Sequence, residues 1–348
     1  MTTAVQEQKQ PVDEAADQRR VVDIVLRART FGIVGVLALF VLITTVIQSR
    51  FLDGSNIRFV LAESAVYVVV AIGETCVILT RNVDLSVGSV VGLSAYLSAN
   101  LFQAHHGIAI PLVFLVGIGI GTACGLVTGI ITALCRVPSL VVTLAMLYIV
   151  RGVDTMLAGS NEVVASSLPN SFINIFNNTV LGVPDLAIAA IVMVALAAYY
   201  LRYFRSGRDL YAIGSDPEAA ERAGIPIARR LLTAFVLSGA LAGLGGVIWA
   251  TQYNTINSTA ATGLELQIVA AVVVGGVAIF GGSGSVIGAA LGALLLQTIT
   301  SALNVLGVAS LWTEAIAGLL LIVAITLDRG IQLRLATALQ RRKVRLGA

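Results

Sequence analysis

Long apolar stretches alternate with short polar breaks along most of the chain. A membrane-spanning helix needs about 20 mainly apolar residues, and ten stretches approach that length. They lie near residues 31–48, 59–80, 86–104, 108–135, 139–158, 180–201, 231–253, 264–281, 284–303 and 311–327. The pattern predicts an all-α integral membrane protein with about ten transmembrane helices, and the short breaks indicate antiparallel neighbours.

Composition agrees with this interpretation. Hydrophobic residues make up 57% of the chain and charged residues only 12%, whereas a soluble domain carries about 25% charged residues. A lipid bilayer would cover the apolar outward faces. The net charge of +3 gives no reason to expect a nucleic-acid partner.

The basic residues predict how the chain is oriented, because lysine and arginine accumulate on the cytoplasmic side of a membrane. With the amino terminus inside, all but three of the 22 basic residues fall in cytoplasmic segments; the exceptions are Arg50, Arg58 and Arg151. We therefore expect both termini in the cytoplasm. The expected parts are a tail over 1–30, a transmembrane domain over 31–328 and a basic tail over 329–348.

Glycines recur every four residues in three of the apolar stretches, which places them on one face of each helix. This spacing predicts close approach of neighbouring helix backbones. The residues are Gly117, Gly121, Gly125 and Gly129; Gly239 and Gly243; and Gly284, Gly288 and Gly292.

The most charged internal loop covers about residues 202–230 and contains a helix signal. Ser215 or Asp216 is suited to cap a helix, and Pro217 is tolerated in its first turn. Gly224 is expected to stop that helix. The result is a helix of roughly seven residues, about 10 Å long, which by itself is compatible with any amphipathic surface helix.

Ionisable residues within the apolar stretches indicate function, because a charge in the membrane is costly. Glu63 and Glu74 share a helix face and either line a polar path or pair with arginines on neighbouring helices. Asp84 either caps the following helix or holds a cytoplasmic gate. Arg151 and Asp154, three residues apart, are expected to neutralise each other. Further charges occur at Glu265 and Glu314.

The sequence provides no nucleotide site and no catalytic or metal-binding cluster. The two lysines, Lys9 and Lys343, do not follow a glycine, so the phosphate-binding loop of ATPases is missing. His105 and His106 have no nearby partners at metal-ligand spacing. We therefore expect a chain that is not an enzyme and binds no cofactor itself.

The charged loop resembles a known family. Glu218-Ala219-Ala220 followed by Gly224-Ile225 is similar to the "EAA" loop of permease subunits in bacterial ABC importers. The resemblance implies that these five residues belong to a coupling helix that docks on a separate ATPase subunit, which uses ATP and Mg²⁺. It also implies a multi-pass location in the bacterial cytoplasmic membrane.

Residues 208–246, 79–89 and 275–288 resemble monosaccharide permeases of the ribose and xylose type, and the likeness extends over about residues 50–330. Many of those relatives have two glycines and an isoleucine where this chain has Arg81, Asn82 and Val83. This departure is similar to the branch that imports rhamnose or the autoinducer-2 signalling sugar. The resemblance implies a second permease chain, identical or paralogous, and a periplasmic or surface sugar-binding protein.

The predicted function is therefore translocation of a monosaccharide, with a gate or path formed by six residues: Glu63, Glu74, Asn82, Asp84, Ser86 and Asn254. Asn254 is expected to bond sugar hydroxyls or to contact the delivery protein. Two alternatives remain. One is an ion-coupled secondary transporter that uses the buried carboxylates, and the other is the same machinery carrying branched-chain amino acids.

Overall fold

A computed structural model describes residues 32–105, 107–253, 255–309, 312, 314–323 and 326. The two predicted tails, 1–30 and 329–348, and the predicted path residue Asn254 lie outside the described residues.

Helices account for most of the described chain, which confirms the prediction of an all-α membrane protein. They are α1 (Gly32–Ile47), α2 (Gly54–Ile78), α3 (Val87–Ala104), α4 (Ile110–Ala133), α5 (Ser139–Ala158), α6 (Asn170–Ile173), α7 (Asp185–Tyr203), α8 (Arg205–Ser215), α9 (Pro217–Arg222), α10 (Ile227–Gln252), α11 (Leu264–Val274), α12 (Val286–Val305) and α13 (Glu314–Val323). Short 3₁₀ turns cover Ser49–Leu52 and Ala165–Ser167.

Six of these helices, α2, α4, α5, α7, α10 and α12, are long and apolar enough to cross a membrane. Each of the ten predicted stretches contains a helix, but the apolar helices α1, α11 and α13 are shorter. The stretch predicted at 264–281 differs most, since α11 ends at Val274. Two glycines, Gly275 and Gly276, follow, and Gly276 has a φ of +88°, a left-handed conformation that ends the helix.

In the part of the chain that the structure describes, four two-residue strands lie in the connections between helices. They are β1 (Val163–Val164), β2 (Thr179–Val180), β3 (Val183–Pro184) and β4 (Thr255–Ile256). β1 pairs antiparallel with β4, and β2 forms a hairpin with β3. Phe172 of α6 is fully buried against Phe102 of α3, with ring centroids 4.6 Å apart. The long connection between α5 and α7 is therefore folded onto the helices.

The helix α2 occupies the centre of the molecule and contacts α7, α10, α11 and α12. Most of the apolar stretch of α2 is buried, whereas α4, α5 and α7 have few fully buried residues. Exposed leucines and valines on those helices suit contact with lipid, because a bilayer imposes no penalty on an apolar surface.

The predicted glycine faces do bring helix backbones together. On α4 and α10 the close approach is reciprocal: a Cβ added at Gly121 would collide with the carbonyl oxygen of Gly239, and one at Gly239 would collide with that of Gly121. A Cβ added at Gly243 would likewise collide with the carbonyl oxygen of Gly117, and one at Gly117 would collide with the side chain of Val247. On α12, a Cβ at Gly288 would collide with the carbonyl of Gly275. These contacts confirm the packing prediction.

Candidate functional site: the loop helices and the buried polar network

The helix α9 forms where the sequence predicts it. The Asp216 carboxylate accepts a hydrogen bond from the backbone N–H of Ala219 at 3.0 Å, which caps the helix start. Pro217 occupies the first helical position. The helix ends at Arg222, and Gly224 then takes a left-handed φ of +76°. The prediction of a short capped helix is confirmed.

The five predicted coupling residues divide into an exposed and an inner group. Glu218, Ala219 and Gly224 are exposed, whereas Ala220 is buried and Ile225 is half-buried. The backbone N–H of Ile225 donates to the carbonyl of Ala220 at 3.1 Å, which folds the chain back beneath the helix. The exposed side of the helix carries the charged residues Glu218, Glu221 and Arg222.

Sequence analysis missed α8, the amphipathic helix that carries α9. Its buried residues include Leu210, Ile213 and Gly214, whose spacing of three and four is the helical signal that went unused. The Tyr211 hydroxyl donates to the carbonyl of Gly284 at 3.1 Å, and burial raises the pKa of Tyr211 to about 12. The hydroxyl therefore stays protonated and remains a donor.

An ion pair fixes α8 to the start of α10. The guanidinium Nε of Arg230 lies 2.7 Å from a carboxylate oxygen of Asp209, and both side chains are mostly buried. By contrast, the Glu218–Arg222 pair on α9, at 3.1 Å, is largely exposed. The loop is therefore anchored at its base and solvated at its tip.

Five of the six predicted gate residues lie on α2 or on the connection that follows it, and three of them, Glu74, Asp84 and Ser86, form one buried network. Glu74 accepts a hydrogen bond from the backbone N–H of Asp84 at 3.1 Å. One oxygen of Asp84 accepts from the N–H and the hydroxyl of Ser86, and the other accepts from Ser238 of α10 at 3.1 Å. Asp84 therefore connects α2 and α10 to the residue that precedes α3.

The remaining predicted path residues are placed elsewhere. Asn82 is half-buried, and its amide donates to the backbone and hydroxyl of Thr80 at 2.9 and 3.0 Å. Glu63 accepts a hydrogen bond from the Tyr253 hydroxyl at 2.7 Å. Glu63 is eleven residues from Glu74, so the two lie about 16 Å apart along α2. The structure therefore does not bring Glu63 into the Asp84 network.

A second charged cluster surrounds Arg151 on α5. Its guanidinium lies 3.8 Å from Asp154, the predicted partner, and also donates to the carbonyls of Ser258 and Ala260 at 3.1 and 2.7 Å. Asp154 is fully buried, and neither of its oxygens has a hydrogen-bond partner among the described residues. The predicted pair of Arg151 and Asp154 exists. The guanidinium also binds two backbone carbonyls, which no sequence pattern predicted.

A cavity of about 900 Å³ opens beside α9. Its lining comes from the turn between α4 and α5, from the segment joining α9 to α10, and from Asn82. Arg136, Arg229 and Glu221 bring charge to an otherwise mainly apolar wall. The cavity therefore places the predicted gate residue Asn82 and the loop helix at one opening.

Within the described ranges, no group of three histidine, cysteine, aspartate or glutamate side chains is arranged to hold a metal ion. The polar networks instead join helices to one another. Together with the apolar spans, they define a multi-pass membrane protein with a folded loop and buried polar groups.

Comparison with known proteins identifies the class. A family model described as branched-chain amino acid transport system, permease component, matches residues 56–325. The chain belongs to this permease family and is a multi-pass protein of the inner membrane.

Individual relatives have more specific names than the family does. The autoinducer 2 import system permease protein LsrC of Enterobacter sp. (strain 638) is 33% identical over 293 residues, which cover 84% of each chain. LsrC of Escherichia coli O157:H7 is 33% identical over 312 residues, 90% of each chain. LsrC of Salmonella typhi is 32% identical over 312 residues, 90% of this chain and 88% of the relative. No solved structure matches the chain.

Proposed function

We propose that this chain is the membrane-spanning subunit of an ABC importer that moves a monosaccharide or a similar polyol across the cytoplasmic membrane. The main support for the proposal is the short capped helix α9, which follows α8 directly and ends before Gly224. A short exposed helix at the base of a membrane domain suits docking on a separate ATPase. The similarity to LsrC proteins, named as import permeases, supports the same assignment.

In the proposed topology, ten segments cross or enter the membrane, and both termini lie in the cytoplasm. The distribution of basic residues supports this orientation. The loop that contains α8 and α9 then faces the cytoplasm, and the connection between α5 and α7 faces outward. Two permease chains, identical or paralogous, would enclose the path, and a sugar-binding protein would deliver cargo to the outer side.

The partner ATPase, which binds ATP and Mg²⁺, supplies the free energy for transport. Nucleotide binding favours one arrangement of the two α9 helices, and nucleotide release favours another. The Asp84 network follows the α2 helix end and bonds α2 and α10, so we expect its hydrogen bonds to respond to the change of arrangement. Such coupling requires only that the ATPase bind the two arrangements with different affinity.

The cargo is a rhamnose-like, ribose- or xylose-like, or autoinducer-2-like polyol. The names of the relatives favour autoinducer-2. Branched-chain amino acids form the alternative, because the family description names them. A zwitterion requires charged partners along the path, whereas a polyol requires only hydrogen bonds.

Uptake into proteoliposomes tests the proposal. The chain, its candidate ATPase and its binding protein are reconstituted with ATP enclosed in the lumen. Labelled rhamnose, ribose, xylose, autoinducer-2 and leucine are then offered from outside. We expect ATP-dependent uptake of one of the polyols, reduced by about tenfold in Glu218→Lys and Gly224→Val. The Arg205→Ala variant, changed at the exposed start of α8, is the matched control.

Uptake of leucine in preference to the polyols would contradict the proposed substrate but still support an ATP-driven importer. Uptake that follows a proton or sodium gradient without the ATPase would overturn the proposal.

A further inference from the structure

Three backbone segments meet at the carboxyl end of α8, directly before α9. They are the end of α8, the connection from Leu79 to Ser86 and the connection from Gly275 to Ser285. The N–H of Gly282 donates to the carbonyl of Leu79 at 3.0 Å. A Cβ at Gly214 would collide with both of those groups. The three segments are therefore in direct backbone contact, and we call this place the α8 junction.

The side chain of Arg81 fastens the α8 junction. Its Nε donates to the carbonyl of Gly214 at 2.6 Å, and its Nη2 donates to the carbonyl of Ser215 at 2.8 Å. Both carbonyls belong to the last turn of α8, where a positive charge is favoured by the helix dipole. Arg81 itself has a φ of +65°, which a residue with a side chain adopts only where its surroundings hold it.

The segment that contains Arg81 is also tied to the membrane helices. Three residues further on, Asp84 accepts from Ser238 of α10 at 3.1 Å. The carbonyl of Val83 accepts from the Thr143 hydroxyl of α5 at 3.3 Å. The connection from Leu79 to Ser86 thus contacts α5, α10 and the end of α8. Its side-chain hydrogen bonds to α8 come from Arg81.

We propose that Arg81 is a positioning residue that transmits displacement of α9 to the connection from Leu79 to Ser86. The inference rests on the proposed function of α9. Arg81 binds the two carbonyls immediately before Asp216, the residue that caps α9, and it is the neighbour of Asn82. Movement of α9 therefore shifts the predicted gate residues through two charge-assisted hydrogen bonds and the backbone contacts around them.

Coupling is measured as molecules of cargo imported per ATP hydrolysed, in the same proteoliposomes. Arg81→Gln removes the charge and one of the two donor directions. We expect it to lower this ratio by about tenfold while ATP hydrolysis continues. Arg81→Lys should give an intermediate ratio, because an ammonium group does not reproduce the planar fork of arginine. Arg205→Ala, with an exposed arginine at the opposite end of α8, should keep the wild-type ratio.

Hydrogen exchange on the purified chain tests the junction without transport. We expect Arg81→Gln to speed amide exchange in the last turn of α8 and at Gly282, and Arg205→Ala to leave both unchanged. Since Arg81 is exposed, its replacement should not prevent membrane insertion, which the abundance of each variant in the membrane checks.

The outcomes separate the two proposals. Wild-type import without ATP would overturn the proposed function, and the coupling role with it, even if exchange at the junction rises as expected. ATP-driven wild-type import with an unchanged ratio in Arg81→Gln would overturn the role of Arg81 alone. Unchanged hydrogen exchange in Arg81→Gln would also overturn it, because the junction would then hold without the guanidinium.

Discussion

Two regions of the molecule use glycine to bring backbones into contact, and they do so differently. Along the α4–α10 interface, glycines such as Gly117, Gly121 and Gly125 repeat every four residues within continuous helices. At the α8 junction, Gly281 and Gly282 lie in an irregular segment, with φ values of +78° and +75°. The first region holds helices side by side, whereas the second holds a helix end against two connections.

The difference indicates which region changes shape. The α4–α10 interface gains its stability from contacts distributed along two helices. A small displacement therefore does not separate the two helices. The α8 junction is held by a few hydrogen bonds to backbone carbonyls, several of them from Arg81 and Gly282. A single hydrogen bond contributes about 1 kcal/mol. We therefore expect the helix interface to act as a rigid frame and the junction to rearrange.

The largest effect is expected from filling the helix interface. In Gly121→Leu, the new side chain would collide with the backbone of α10 at Gly239 and Gly243. Backbone cannot move aside as a side chain does, so we expect a loss of about 3 kcal/mol or more of stability. The variant should be depleted from the membrane and should aggregate in detergent, as size-exclusion chromatography would show.

Gly119→Leu is the matched control on the same helix. Apart from its own helix, no described residue has an atom within 4 Å of a Cβ added at Gly119, and the residue is exposed. Wild-type abundance of Gly119→Leu together with loss of Gly121→Leu supports a rigid interface. Equal abundance of both variants would show that the interface adapts, and would remove the contrast with the junction.

Ser238 links the two regions, because it lies on α10 and donates to Asp84 of the connection that reaches Arg81. Ser238→Ala leaves one buried carboxylate oxygen without this donor. We expect a loss of about 1–3 kcal/mol of stability, measured as a lower midpoint of thermal unfolding in detergent. The effect should be smaller than that of Gly121→Leu, since no atoms collide.

Ser98→Ala makes the same chemical change at a buried hydroxyl with no hydrogen-bond partner among the described residues. Its midpoint should stay at the wild-type value or rise, because an unsatisfied polar group is removed. A fall in Ser98→Ala as large as that in Ser238→Ala would mean that the bond to Asp84 contributes nothing.

Sequence reasoning succeeded where a local pattern decides the structure. The spacing of Gly117, Gly121 and Gly125 predicted a close interface, and Asp216 with Gly224 predicted α9. It missed α8, although Leu210 and Ile213 carry a helical spacing, because the basic residues around them suggested a loop.

Contacts with backbone carbonyls were out of reach for sequence reasoning. Arg81 binds residues 133 and 134 positions away, and Arg151 binds carbonyls more than 100 positions away. Every residue has a carbonyl, so no residue type marks the acceptor. The partners of Glu63 and Glu74 were also out of reach: the helical spacing placed both on one face of α2, but only the tertiary structure brings the Tyr253 hydroxyl to Glu63 and the Asp84 backbone to Glu74.

The smallest effect is expected at the tip of the loop. Arg222 pairs with Glu218 at 3.1 Å, but the two side chains are 79% and 82% exposed, so solvent screens the pair. Arg222→Ala should change stability by less than about 0.5 kcal/mol, which leaves the thermal midpoint near that of the wild type.

Arg230→Ala is the contrasting variant in the same loop, because it leaves the mostly buried Asp209 without its partner at 2.7 Å. In Arg230→Ala we expect a loss of about 3 kcal/mol of the free energy of unfolding. Equal thermal midpoints for the two variants would contradict the conclusion that the buried pair stabilises the loop and the exposed pair does not.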